Sequence, residues 1–344
     1  MPMRTLLQVI TAMAAGALVA ALALVGIYDV LTRGNRTIPT DHGQFLVDTV
    51  TGPRLVVDGG SSSMFGIVPA LLEQAFGRPT VDAADNASIP LRMKIHRIIA
   101  YARRGDVLIL PLEWVYYTRS ATPSDFIDKT PDTYAPYYAS LPLNDRLGFA
   151  VSALSLHNVS DAFRLFFKPS LARDQLAELG DWLQRFPYGD RKDDRRRRSS
   201  VAGQDCAGYL GSDGPIVDDM RWAARTLGRL QHDAGLRIIV TWPAVAGTGC
   251  YRGDGLLREA RALFAAHGLT TVGDPADSSF KPEHMLDTYY HVDEAAAHER
   301  TRRLISHLKA LADFPAPDPA ARSTVMQGAD AFRRLAAQVG RAAR

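Results

Sequence analysis

Cysteine is scarce: the 344-residue chain holds two, Cys206 and Cys250. That scarcity excludes a small fold stapled by many disulfides. With no CxxC pair and no Cys/His cluster, it also excludes a structural zinc site. Excess charge of one sign is lacking too. The 40 basic and 37 acidic side chains leave a net charge of +3. Much of the positive charge sits in one run, Arg191–Arg198 (RKDDRRRR), not in the stripes that track a nucleic acid, so no nucleic-acid partner is expected. No Walker A loop, HExxH helix or carboxylate cluster is present. Gly247-Thr248-Gly249 resembles half of a dinucleotide fingerprint but opens no obvious helix. No cofactor or metal is expected.

What the chain does have is a globular composition, 47% hydrophobic and 22% charged, behind one long apolar run. Leu6 to Tyr28 contains no charged residue. About 20 apolar residues span a bilayer core as a helix, so residues 1–31 read as a cytoplasmic stub and a transmembrane anchor. A cleaved signal peptide is the rival, with a shorter apolar core of about 7–15 residues. Arg4 precedes the helix, whereas Arg33 and Arg36 follow it. The positive-inside rule therefore gives no support to an outward-facing domain. Cys206 (GQDCAGYLG) and Cys250 (GTGCYRG) both lie in loops. They would suit one disulfide in an oxidising compartment; two unrelated thiols are the alternative.

After a polar linker over 32–53, apolar runs alternate with amphipathic segments. Arg54–Asp58 (RLVVD), Thr80–Ala84, Asp106–Leu112 (DVLILPL), Leu236–Thr241 (LRIIVT) and Leu269–Val272 read as strands. Ser63–Phe76, Ile89–Arg103, Val217–Asp233, Gly255–His267 and Asp293–Leu311 read as helices. In Ile89–Arg103, Leu91, Ile95, Ile98, Ile99 and Ala102 recur at helical spacing. This alternation implies βαβ units and a parallel sheet, with chemistry in the loops at the carboxyl ends of its strands. Residues 54–313 are the expected domain, interrupted by an irregular insertion at 114–215 that caps the sheet edge. Residues 314–344 form an Ala/Arg-rich tail that reads as a loose amphipathic helix. The insertion carries Arg191–Arg198, which suits an anionic surface but reads equally as a solvated loop. It also carries Trp114, Tyr116, Tyr117, Tyr134, Tyr137 and Tyr138, which suit either stacking on sugar rings or packing of the cap.

Two loops carry candidate chemistry. After the first strand, Asp58-Gly59-Gly60-Ser61-Ser62-Ser63 makes a tight strand-to-helix turn that places a serine at a helix N-terminus. Such a serine is either a nucleophile or a cap for the helix. A nucleophilic serine needs a base, and the base needs an orienting group. Asp287-Thr288-Tyr289-Tyr290-His291 follows the last strand and presents an aspartate and a histidine from one loop. His284 and His298 lack that setting, and Asp293 reads as a helix cap.

Together these blocks resemble the SGNH/GDSL hydrolase superfamily, in its membrane-anchored bacterial form. GGSSSMFGI is similar to the family's first block, DTYYHVDEAAAHERTRRLISHL to its last, and GDVLILPLEWVYY to its third-strand region. The resemblance covers about 54–113 and 236–311. It implies a three-layer α/β/α flavodoxin-like fold with a five-stranded parallel sheet, strand order 2-1-3-4-5, behind one transmembrane helix. It implies Ser61 as nucleophile, His291 as base and Asp287 as its orienting partner. The family's second block supplies a glycine N–H and its third an asparagine to the oxyanion hole. Here those places read Asp85-Asn86-Ala87-Ser88 and Glu113-Trp114. Gly60, Asn86 and Ser88 are the expected oxyanion or substrate residues, while Glu113 would be a poor donor unless protonated. The implied activity is ester hydrolysis or acetyl transfer on a cell-envelope or secreted polysaccharide. The implied place is the periplasmic side of a bacterial inner membrane, with acylated glycan and polysaccharide-synthase subunits, such as those of a cellulose synthase, as partners. A catalytically idle accessory protein of the same fold is the alternative.

Overall fold

The structure, a computed structural model, describes residues 3–32, 38–87, 89–120, 137, 140–153, 171–190, 214–247, 254–314 and 322–342. The chain divides into two compact units: Met1–Thr37 with Thr122–Ala172, and Ile38–Ala121 with Arg173–Arg344. In chain order the helices are α1 (Met3–Thr32), α2 (Ile38–Thr49), α3 (Ser61–Gly66), α4 (Pro69–Phe76), α5 (Leu91–Tyr101) and α6 (Val115–Thr118). They continue as α7 (Leu143–Ala153), α8 (Leu171–Arg185), α9 (Asp218–Ala234), α10 (Asp254–Ala266), α11 (Glu294–Lys309) and α12 (Thr324–Ala342). The strands are β1 (Leu55–Val57), β2 (Thr80–Asp82), β3 (Val107–Pro111), β4 (Arg237–Thr241), β5 (Val245–Ala246), β6 (Thr270–Thr271) and β7 (Ser279–Phe280).

The first unit holds α1, whose stretch Met3–Ala23 is long and apolar enough to cross a membrane and is not buried against protein. Within that unit α7 packs against α1.

The second unit is an α/β body around a five-stranded parallel sheet, order β2-β1-β3-β4-β6. A second pair, β5 with β7, is also parallel. Strand side chains alternate between two faces, and each face is buried. Val56, Val81, Leu108, Leu110, Ile238 and Val240 pack with residues of α2, α5, α9 and α10. Leu55, Val57, Val107, Ile109 and Ile239 pack with Leu72 and Phe76 of α4 and with Leu304 and Leu308 of α11. At the amino end of the sheet Arg54 is clamped by Asp106, Nη2 to Oδ2 2.5 Å and Nε to Oδ1 3.2 Å, with both side chains fully buried. This pair locks the start of β1 to the start of β3.

Several elements differ from expectation. The single helix read over Ser63–Phe76 is two, α3 and α4. Pro69 has no N–H and forces the residue before it out of the helical region; Val68 is extended, φ −114° and ψ 93°. The polar linker contains α2, whose His42, Leu46 and Val47 are buried, as is Val50 just past its end. The helix read in the tail, α12, is not loose but docks on the body. The Thr324 N–H donates to Glu73 (3.1 Å) and its Oγ1 to the Thr80 carbonyl (3.0 Å), while Gln327 accepts from the Thr51 N–H (2.7 Å). The residues read as one insertion are shared between the two units. Within the second unit, the Asp82 N–H of β2 donates to the Tyr188 carbonyl at 2.7 Å.

Candidate active site

The turn between β1 and α3 lies at the carboxyl end of the sheet, and buried ions hold it from beneath. Asp58, fully buried, accepts from Arg97 Nη2 (2.9 and 2.8 Å) and from the Tyr101 hydroxyl (2.7 Å), both on α5. Lys94, also on α5, donates to the Gly59 carbonyl at 2.7 Å. Glu113, just past β3 and wholly buried, accepts the Gly60 N–H on Oε2 and the Ser62 N–H on Oε1, both at 2.8 Å. From α11, Arg300 donates to the Ser62 carbonyl (2.9 Å) and to the Trp242 carbonyl (2.8 Å). Ser62 Oγ accepts the Ala244 N–H at 2.9 Å.

Close approach requires glycine at both turn positions. A Cβ on Gly59 would meet the Pro111 carbonyl oxygen at 2.8 Å, and one on Gly60 would meet the Glu113 carboxylate at 2.2–2.3 Å.

Burial sets the protonation tendencies here. It pushes the Glu113 carboxyl up, while the nearby Lys94 and the two amides pull it back. It pushes the Lys94 ammonium down, opposed by Asp85 and Asp58. The Arg300 guanidinium comes down to about 10 through desolvation, which leaves it charged at neutral pH. The buried carboxylates Asp58, Asp82, Asp85 and Glu113 thus lie among the buried cations Lys94, Arg97 and Arg300. Pairing of this kind is what makes buried charge tolerable.

Within the turn, the amides of residues 60 and 62 go to Glu113, and that of Ser63 goes to the Gly60 carbonyl at 3.0 Å. Ser61 makes no hydrogen bond among the described residues, through either its N–H or its hydroxyl. It is half-buried at the first position of α3.

The second loop is a tight hairpin. The Leu286 N–H donates to the His291 carbonyl (2.8 Å), and Met285 bridges Val292 in antiparallel fashion. Thr288 Oγ1 accepts the N–H groups of Tyr290 and His291, each at 3.2 Å. Asp293 caps α11, accepting from the Ala296 N–H at 2.9 Å. This frame sets His291 Nδ1 against Asp287 Oδ1 at 2.6 Å. That hydrogen bond is the main reason the Asp287 carboxyl lies below the usual aspartate range. On its other side the imidazole stacks on Phe65, centroids 4.1 Å apart and planes 20° apart. Phe65 follows Ser61 by four residues on α3, so the two share one helix face. His291 thus packs on Phe65 of that face, and no hydrogen bond joins it to Ser61. Its Nε2 has no hydrogen-bond partner among the described residues.

The other expected site residues fare differently. Gly60 is not an oxyanion donor, because its N–H is taken by Glu113; it provides space instead. The Asp85 N–H donates to the Gly59 carbonyl at 3.2 Å, which sets the loop carrying Asn86 beside the turn. Ser88, Cys206, Cys250, Tyr134, Tyr138 and Arg191–Arg198 lie outside the described residues. Trp114, Tyr116 and Tyr117 are core residues, with Trp114 stacked on Trp242 at 5.4 Å, so they offer no sugar platform. Tyr137 is half-buried. His284 pairs with Asp293 at 3.1 Å.

Sequence reasoning did not assign Lys94, Arg97 or Arg300 to the site, and it weighed Glu113 only as a donor. A signal for two of them was present: Lys94 and Arg97 fall on the same face of α5 as Ile98 and Tyr101, where a charge has to find a partner. Among the described residues no group of three or more His, Cys, Asp or Glu side chains is arranged to hold a metal. No protein-family model matches the chain, and no curated protein matches it.

Proposed function

We propose that the chain is a serine-dependent esterase or acyltransferase of the SGNH/GDSL type, with a flavodoxin-like three-layer body. The observation that carries this reading is His291, bonded to Asp287 through Nδ1 and stacked on Phe65 of the helix that Ser61 opens. Among the described residues neither His291 Nε2 nor the Ser61 hydroxyl has a hydrogen-bond partner, which leaves one to act as base and the other as nucleophile.

The chemistry follows. Ser61 Oγ attacks the carbonyl carbon of an ester, and its proton passes to His291 Nε2. Asp287 holds the Nδ1–H tautomer and stabilises the imidazolium. The Ser61 N–H, at the start of α3, faces the oxyanion, with Asn86 as the second candidate donor. Collapse expels the alcohol, which takes the proton from His291. Water or a sugar hydroxyl then gives its proton to His291 and attacks the acyl-serine; collapse releases Ser61 Oγ, which takes that proton back from His291, and the acid or the acylated sugar leaves.

On this reading the chemistry lies at a bacterial inner membrane, on its periplasmic side; the long apolar helix α1 supports the anchor, and the side follows from the resemblance alone. The substrate class is an acetylated cell-envelope or secreted polysaccharide, handled beside the subunits of a polysaccharide synthase such as a cellulose synthase. A second reading is favoured by one observation. Glu113 occupies two of the turn's amides, so the backbone offers only the Ser61 N–H as a free donor within residues 60–63. On that reading the protein keeps the fold and binds glycan or synthase subunits without turnover.

The test is covalent labelling of the purified protein by a fluorophosphonate probe, beside Ser61→Ala. Labelling that disappears in the variant supports the nucleophile. A well-folded wild type that takes no label overturns the enzyme reading in favour of the accessory one.

A further inference from the structure

We propose that Glu113 is a positioning residue that presets the nucleophile turn, gripping the amides on either side of Ser61 so that the Ser61 N–H alone stays open to an acyl oxyanion. The inference rests on the reading of Ser61 as nucleophile.

Three observations carry it. First, each oxygen of one buried carboxylate takes one amide, Gly60 on Oε2 and Ser62 on Oε1, and these amides flank the serine in sequence. A bidentate acceptor fixes two peptide planes at once, and charge-assisted bonds of this kind are stronger than neutral ones. Second, the grip is close. Gly60 has no room for a Cβ because the carboxylate occupies that space. Third, the same short segment is held at its carbonyls by cations, Lys94 on Gly59 and Arg300 on Ser62. These charges matter electrostatically. An anion beneath a developing oxyanion opposes it, and two buried cations on the same four residues offset that repulsion. Glu113 acts through the backbone of the turn and does not touch substrate.

The experiment uses the full-length wild type, Glu113→Gln and, as a control for plain loss of core packing, Leu227→Ala on α9. Two quantities are read below the lowest thermal midpoint: the second-order rate of fluorophosphonate labelling, and hydrogen exchange in the peptide spanning residues 59–63. Glutamine keeps the shape but has one acceptor oxygen, and its NH2 opposes the second amide. Glu113→Gln is expected to speed exchange in that peptide and to slow labelling by about 10²-fold, the scale of losing one oxyanion donor. Leu227→Ala is expected to change neither. Wild-type labelling in Glu113→Gln, or unchanged exchange at the turn, overturns the inference alone. A folded wild type that takes no label overturns the nucleophile reading, and the catalytic part of this inference falls with it.

Discussion

Asp287 keeps 62% of its side chain exposed, while its partner imidazole is 12% exposed. A hydrogen bond between a wet carboxylate and a nearly buried ring orients the ring more than it stabilises the fold, because solvent screens the pair. Asp287→Asn should therefore cost activity more than stability. Labelling of Ser61 is expected to fall by about 10²-fold, the low end of what disturbing a general base costs. The small stability difference should depend on pH. The folded-state pKa of Asp287 is lowered, mainly by the bond from His291. Its contribution is therefore present above the ordinary aspartate pKa of about 3.9 and is lost as pH falls through the lower folded value. Thermal midpoints of wild type and Asp287→Asn should differ at pH 7 and converge in acid. A gap that widens in acid would mean that the carboxylate is not stabilised by the histidine.

At the scale of elements, α12 shows that docking need not be greasy. Its buried face is Thr324, Gln327, Gly328 and Ala331, whereas Val325 and Met326 are 40% and 57% exposed. The helix is held by hydrogen bonds to Glu73, Thr80 and Thr51 and by close approach of Gly328 to Leu46. A chain ending at Phe314 would leave the Thr80 carbonyl and one Glu73 oxygen without these partners. It is expected to lose about 2–4 kcal/mol, read from its denaturant midpoint. An unchanged midpoint would show that α12 adds nothing to the folded unit.

The same contrast explains what the sequence discloses. Strands buried on both faces announce themselves as runs such as Val107–Pro111 and Arg237–Thr241, and their alternation with helices yields the parallel sheet and the loops that carry Ser61 and His291. An element that docks through polar or small residues gives no core signal, so α12 reads as a loose amphipathic helix and its docking goes unread. In α2, the buried Leu46 and Val47 are diluted by Thr40, Asp41, Gln44 and Asp48. Glu113 is legible as a departure from a pattern, but its grip on the turn depends on β1 and β3 lying side by side. That pairing joins residues fifty positions apart, and nothing local to either segment states it.

At the scale of the whole molecule, α1 bears on where the protein is held. Leu6, Leu7, Ile10, Met13, Val19 and Leu22 are about half exposed or more. That much apolar surface on one helix is tolerable only against lipid or another protein. Lipid accounts for it directly, since Met3–Ala23 has the length and composition of a bilayer span. The full chain should thus stay with membranes through an alkaline wash, and a chain lacking residues 1–31 should be released. Sidedness is the sharper matter, because Arg33 and Arg36 outnumber Arg4 and pull against an outward domain. The proposed substrate lies outside the cytoplasm, so the functional reading requires that pull to be overcome. In cells whose outer membrane alone is opened, added protease should digest the α/β body while a cytoplasmic marker survives. Blocking Cys206 and Cys250 with a thiol reagent should require prior reduction if they form a disulfide in that compartment. A body protected until the inner membrane is broken would place Ser61 on the cytoplasmic side. The polysaccharide assignment would then fall, even if the serine proves reactive.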